Sequence, residues 1–199
     1  MNFEGEKRKL ISSSTMALLP LQYGSRLYTK MKDYDGDLTI PLKPFTVVKE
    51  SCRYYASSYQ GRKEGTKTLI GVTHKAPIVI DPFQGIYLFP TASPTRDDCI
   101  WISQGFVEDY QAAEYGKTEV MFINGETLVL PVSLHTFRQQ MYRTLILRDK
   151  IEQRMASEQV YSHLPLFAPN NPLWALERAN LYRIYSRDPV RSLKKRPNK

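Results

Sequence analysis

Apolar positions along this chain change period several times, and each change predicts an element. Met16-Ala17-Leu18-Leu19-Pro20 and Arg26-Leu27-Tyr28-Thr29-Lys30-Met31 read as half-buried strands, followed by turn chemistry in Asp33-Tyr34-Asp35-Gly36-Asp37. Pro44 sits where a helix can begin, because a first turn does not need the N–H that proline lacks. Phe45, Val48, Cys52, Tyr55 and Tyr59 follow at spacings of three and four, one face of an amphipathic helix. Gly61 is the expected residue past its end, which leaves Arg62-Lys63 in a loop. Strand patterns return at 69–73, 77–80 and 86–89, with a turn at 81–85. Residues 119–123 and 126–130 flank Asn124-Gly125, the preferred pair for a two-residue type I′ hairpin turn. Thr136 with Gln139 forms a capping box, and Phe137, Met141, Leu145, Arg148, Ile151 and Met155 make one stripe of the helix behind it. Beyond Met155, Pro165, Pro169 and Asn170-Asn171-Pro172 read as a linker, and Asn171-Pro172 opens a last helix carrying Trp174, Leu181, Ile184 and Tyr185.

These elements predict an α+β fold: a β-rich single domain of short antiparallel strands and hairpins with two packed helices over 1–155. Residues 156–199 form a C-terminal linker, a helix and a basic tail. A hydrophobic content of 42% over 199 residues is enough for a core, so the chain is not disordered by composition. No apolar run approaches the roughly 18 to 20 residues of a membrane span. Ser12-Ser13-Ser14-Thr15 interrupts any signal-peptide core. Two cysteines, Cys52 and Cys99, make no disulfide framework, so the cytoplasm is the expected location.

Charge changes the picture more than composition does. The net charge of +8 favours a polyanionic partner, and it is unevenly spread. Lys7-Arg8-Lys9 open the chain, residues 108–126 hold five acids against Lys117, and residues 174–199 hold eight basic side chains against Glu177 and Asp188. From Arg53 to Lys75 there are five basic residues and one acid, Glu64, interleaved with tyrosines, the hydroxyl pair Ser57-Ser58 and glycines. Phosphate-binding surfaces need those ingredients: cations neutralise phosphates, hydroxyls donate to their oxygens, and glycine lets backbone come close. No metal-ligand spacing or nucleophile motif competes. A structural zinc wants four ligands in paired spacings, and Cys52 lies on an apolar stripe where a free cysteine packs as core. No cofactor and no enzymatic activity are expected.

Cys52-Arg53-Tyr54-Tyr55, Ser57-Ser58-Tyr59, Gly61-Arg62-Lys63, Gly65-Thr66, His74-Lys75, Phe89-Pro90-Thr91 and Thr95-Arg96 resemble the ComK family of competence transcription factors. The likeness continues through Trp101-Ile102-Ser103, Thr118-Glu119-Val120, Asn124-Gly125, Leu130-Pro131 and Tyr142-Arg143-Thr144, and so covers roughly residues 44–155. The resemblance implies a bacterial activator that binds paired A-rich and T-rich boxes mainly through the minor groove. It also implies an oligomer that drives transcription of DNA-uptake genes and of its own gene. In the family an adaptor protein uses a C-terminal aromatic-containing stretch to present the factor to a cytoplasmic protease. Here Leu164-Pro165-Leu166-Phe167-Ala168-Pro169 matches that stretch loosely.

On this reading Lys63, Lys67, Lys75 and the hydroxyls of Ser57 and Ser58 hold phosphates, and Arg62 and Arg96 enter the minor groove. A-tracts narrow that groove and deepen its negative potential, which draws in arginine. Arg53 and Tyr59 complete the set of DNA-binding candidates. Several of these residues read two ways. Arg62-Lys63 could be a solvated turn, Arg96 a partner of Asp97 or Asp98, Lys75 part of a strand end, and Arg53 an arginine that holds the fold together. Two rival functions remain: an RNA-binding β-domain stacking bases on Tyr54, Tyr55, Tyr59 and Tyr87, and a basic protein-interaction regulator that binds no nucleic acid. The hairpin and the striped helix from Phe137 offer more apolar surface than a small core needs, which predicts self-association.

Overall fold

A computed structural model describes residues 10–161, with side chains through residue 156. By contact the chain divides into Met1–Gln153 and Arg154–Lys199, and the architecture described here is that of the first unit. It is α+β, with nine strands and three helices among the described residues. The strands are β1 (Thr15–Tyr23), β2 (Arg26–Asp33), β3 (Leu38–Ile40), β4 (Ile78–Asp81), β5 (Ile86–Pro90), β6 (Trp101–Ser103), β7 (Val107–Ala113), β8 (Lys117–Phe122) and β9 (Thr127–Leu130). The helices are α1 (Pro44–Tyr54), α2 (Tyr59–Ile70) and α3 (Leu134–Tyr161).

The first six strands form one antiparallel sheet in the order β3-β2-β1-β6-β5-β4, and β7-β8-β9 form a second. The middle of the larger sheet is buried on both faces, and successive residues divide between two cores. Ala17, Ile102 and Phe89 stand opposite one another across β1, β6 and β5. They pack with Val120, Phe122, Leu130, Phe137 and Met141 of the second sheet and α3. One residue along, Leu18 and Trp101 point the other way, into a core closed by Val47, Val48 and Cys52 of α1. This is the alternation of a pleated strand used twice.

The helical region differs from the sequence reading. α1 begins at Pro44 and buries Val48 and Cys52 as its stripe predicts, but it stops at Tyr54. Ala56 takes a left-handed φ of +51°, and the Ser57 N–H and hydroxyl both donate to the Cys52 carbonyl, at 2.9 and 3.0 Å. Ser58 then caps a new helix, its Oγ accepting from the Gly61 N–H at 3.0 Å. Gly61 is therefore inside α2, Arg62 and Lys63 are helical rather than in a loop, and residues 69–73 are not a strand. α2 ends at Gly71, whose φ of +71° suits glycine.

Two further corrections concern the second half. The hairpin at Asn124-Gly125 exists, but with a three-residue loop. Phe122 and Glu126 close it (N to O 2.9 Å), and Gly125 alone in it has positive φ, +82°. A type I′ turn would require positive φ at Asn124 as well. α3 starts at Leu134, capped by Ser133, which accepts from Thr136 N–H at 3.3 Å; Thr136 is not the cap. Its buried stripe is Phe137, Gln140, Met141, Thr144 and Leu147, while Leu145 is 46% exposed. The linker, the last helix, the loose adaptor-like stretch, the basic tail and Lys7-Arg8-Lys9 lie outside the described residues.

Candidate nucleic-acid interface

The sequence nominated nine residues, and the fold sorts them by whether their polar groups are already used. Arg62 is half-buried and bridges two elements. Its Nε donates to Ser57 Oγ at 2.9 Å and its Nη2 to the Ile80 carbonyl at 3.1 Å. β4 is an edge strand with a register shift between Val79 and Asp81, so the Ile80 carbonyl is available to a side chain. Ser57 and Ser58 spend their hydroxyls on the turn between α1 and α2. Tyr59 packs edge-on against Phe45 and Trp101, with centroids 4.8 and 6.2 Å away, and burial pushes its phenol up to about 12. These four hold the helix–turn–helix segment on the sheet.

Of the other five, Arg53, Lys67, Lys75 and Arg96 are exposed and Lys63 is half-buried. Lys63 and Lys67 lie one turn apart on α2, and Lys75 follows in the loop after it. No ion pair engages these three among the described residues. Arg53 is exposed and paired with Glu50 at 2.6 Å. Arg96 makes a two-pronged contact with Asp98, Nε to Oδ1 at 2.8 Å and Nη2 to Oδ2 at 2.6 Å. That hydrogen-bonded carboxylate holds the Arg96 guanidinium above its usual range, and Asp98 below its own.

Lys75 and Arg96, 21 positions apart in sequence, line one cleft of about 350 Å³ together with Thr91, Ser93 and Asp98. What fixes Lys75 is Gln140, a residue the sequence reading passed over. Its amide is buried and donates to the Lys75 carbonyl at 2.9 Å and to the Pro90 carbonyl at 2.7 Å. Lys75 itself has φ of +47°, uncommon for a residue with a side chain. A polar side chain interrupting an apolar stripe at Gln140 was the available signal. Chemically the cleft offers Lys75, without an ion pair among the described residues, and Arg96, paired with Asp98 at the surface, beside the Ser93 and Thr95 hydroxyls, which lie 3.3 Å apart.

The rival chemistries find little support in this geometry. Tyr87 is fully buried with Arg148 over its ring, and Tyr54 and Tyr55 pack on each other at 5.1 Å, so these tyrosines do not form an open row for stacking bases. Burial pushes the Cys52 and Cys99 thiols up to about 11, the reverse of an activated nucleophile. Among the described residues no group of three or more His, Cys, Asp or Glu could hold a metal, and no helix is long and apolar enough to cross a membrane.

No solved structure matches the chain. Over 145 residues it is 41% identical to the "Competence transcription factor" of Bacillus subtilis (strain 168), an alignment covering 73% of this chain and 76% of that protein. The family model described as ComK protein matches residues 6–156, and on that match the chain belongs to the ComK family.

Proposed function

We propose that this protein is a competence transcription regulator that binds A/T-rich duplex DNA and activates DNA-uptake genes. The observation that carries the reading is the set of lysines without ion pairs among the described residues, Lys63, Lys67 and Lys75, in a chain 41% identical to a competence transcription factor. They act on phosphates, which position a protein on DNA without reading sequence. Arg96, not Arg62, is the arginine for the minor groove. An exposed ion pair adds little stability, so Arg96 can exchange Asp98 for the negative potential of a narrow A/T groove. Minor-groove edges separate A·T from G·C and little more, so recognition rests on paired boxes and on more than one copy of the protein, a helical turn apart.

The test is a fluorescence-anisotropy titration at fixed salt with an A·T-boxed duplex, a G·C-substituted duplex and single-stranded RNA. The boxed duplex is expected to bind most tightly. Preference for the single strand would establish the stacking reading instead, and retention of none would leave a protein-interaction regulator. Lys63→Ala, Lys67→Ala and Lys75→Ala should each weaken both duplexes alike and lower the salt slope by about one phosphate's worth.

A further inference from the structure

α2 and α3 meet in an open groove of about 540 Å³ whose chemistry differs from that of the Lys75–Arg96 cleft. Leu69, Ile70, Val72 and Ile146 line it with apolar surface, and Arg143 and Lys150 bring the charge. Among the described residues none that lines it is acidic. Arg143 donates to the neutral Gln140 side chain at 3.3 Å, and neither Arg143 nor Lys150 has an ion pair among the described residues. Tyr142 also lines the groove and is 66% exposed, a large aromatic that no described residue buries.

The α3 side of the groove runs from Gln139 to Lys150, about 16 Å at 1.5 Å per residue, or three helical turns. Arg143 and Lys150 are seven positions apart, two turns of that helix. An apolar strip with one cation at each of two turns is complementary to a short helix bearing an apolar face and two carboxylates at matching spacing. DNA fits it less well. Phosphates laid on Leu69, Ile70, Val72 and Ile146 would lose water and gain no donor. We propose that this groove docks an acidic amphipathic helix of a protein partner, separately from the surface that holds DNA.

The experiment uses the full chain and a fluorescein-labelled synthetic helix of three to four turns, with leucines at helical spacing and two glutamates seven positions apart. Two control peptides replace glutamate by lysine or leucine by serine. The acidic peptide is expected to bind, and each control to bind about tenfold more weakly or worse. Arg143→Glu with Lys150→Glu should reverse the preference between the glutamate and lysine peptides. Tyr142→Ala should weaken the acidic peptide with no change of charge. All variants should keep the wild-type melting temperature and their affinity for the boxed duplex. The proposal is overturned if the acidic and lysine peptides bind alike, if neither binds, or if the charge-reversed variant loses duplex affinity as well, which would give the groove to DNA. Failure of the wild-type protein to bind duplex would instead remove the DNA reading and leave the peptide result standing.

Discussion

Arg62 is where sequence and structure lead to opposite experiments. If it reads the minor groove, Arg62→Ala should cost on the order of 1–3 kcal/mol on a boxed site and leave the fold alone. The structure puts the loss in the fold. Two hydrogen bonds disappear, to Ser57 Oγ at 2.9 Å and to the Ile80 carbonyl at 3.1 Å, together with the packing of the side-chain stem. Hydrogen bonds from a charged donor contribute about 1.5–3 kcal/mol each, and half-exposure discounts that, so the expected destabilisation is about 2–4 kcal/mol. For a chain of this size that lowers the melting temperature by about 4–16 °C. Arg62→Lys keeps the charge but one ammonium cannot span both acceptors, so it should restore only part of the loss. Thermal melts and duplex titrations well below the transition decide the matter. A wild-type melting temperature combined with a selective loss on boxed DNA would refute the scaffold assignment.

Gln140→Leu should cost about 2–4 kcal/mol in a urea titration, because the carbonyls of Lys75 and Pro90 both lose their donor. It should also weaken duplex binding, since the Lys75 loop loses its anchor; unchanged stability would show the two carbonyls to be solvated. Ser58→Ala removes the cap of α2 and should destabilise by about 1 kcal/mol in the same assay. Cys52 and Cys99 should resist a disulfide exchange reagent at pH 8 until the protein unfolds. Their folded values near 11 lie above the roughly 8.5 of an exposed thiol, so folding favours the neutral form. The stability this contributes is complete below about pH 8.5 and is lost as pH rises through 11. Rapid labelling of the native protein would contradict that burial.

The local grammar of this chain was legible wherever apolar residues carried it. β1 and β2, the start of α1 with its stripe through Tyr55, β4 and β5, and the hairpin around Gly125 all follow from period and turn residues. α2 was hidden because its inner face carries Arg62 and Thr66, polar positions that a hydrophobicity pattern reads as solvent. They are satisfied by carbonyls distant in sequence, Arg62 by Ile80 and Thr66 by Pro77 at 2.8 Å. The same effect shifted the stripe of α3. Gln140 and Thr144 are buried because each finds a carbonyl, whereas Leu145 is left outside.

The sequence by itself determined the class of fold, the family words and the stretch that supplies the candidate phosphate contacts. It could not say which cations are free, since that depends on partners many positions away. Tertiary structure tied Arg62 to the sheet edge and left Lys63, its equally half-buried neighbour on the same helix, without an ion pair among the described residues. It also brought Lys75 and Arg96 to one cleft by hanging the Lys75 loop on Gln140 of α3. A buried polar group must be paired, and only the folded chain supplies the partner; that requirement decides which side chains remain for a ligand.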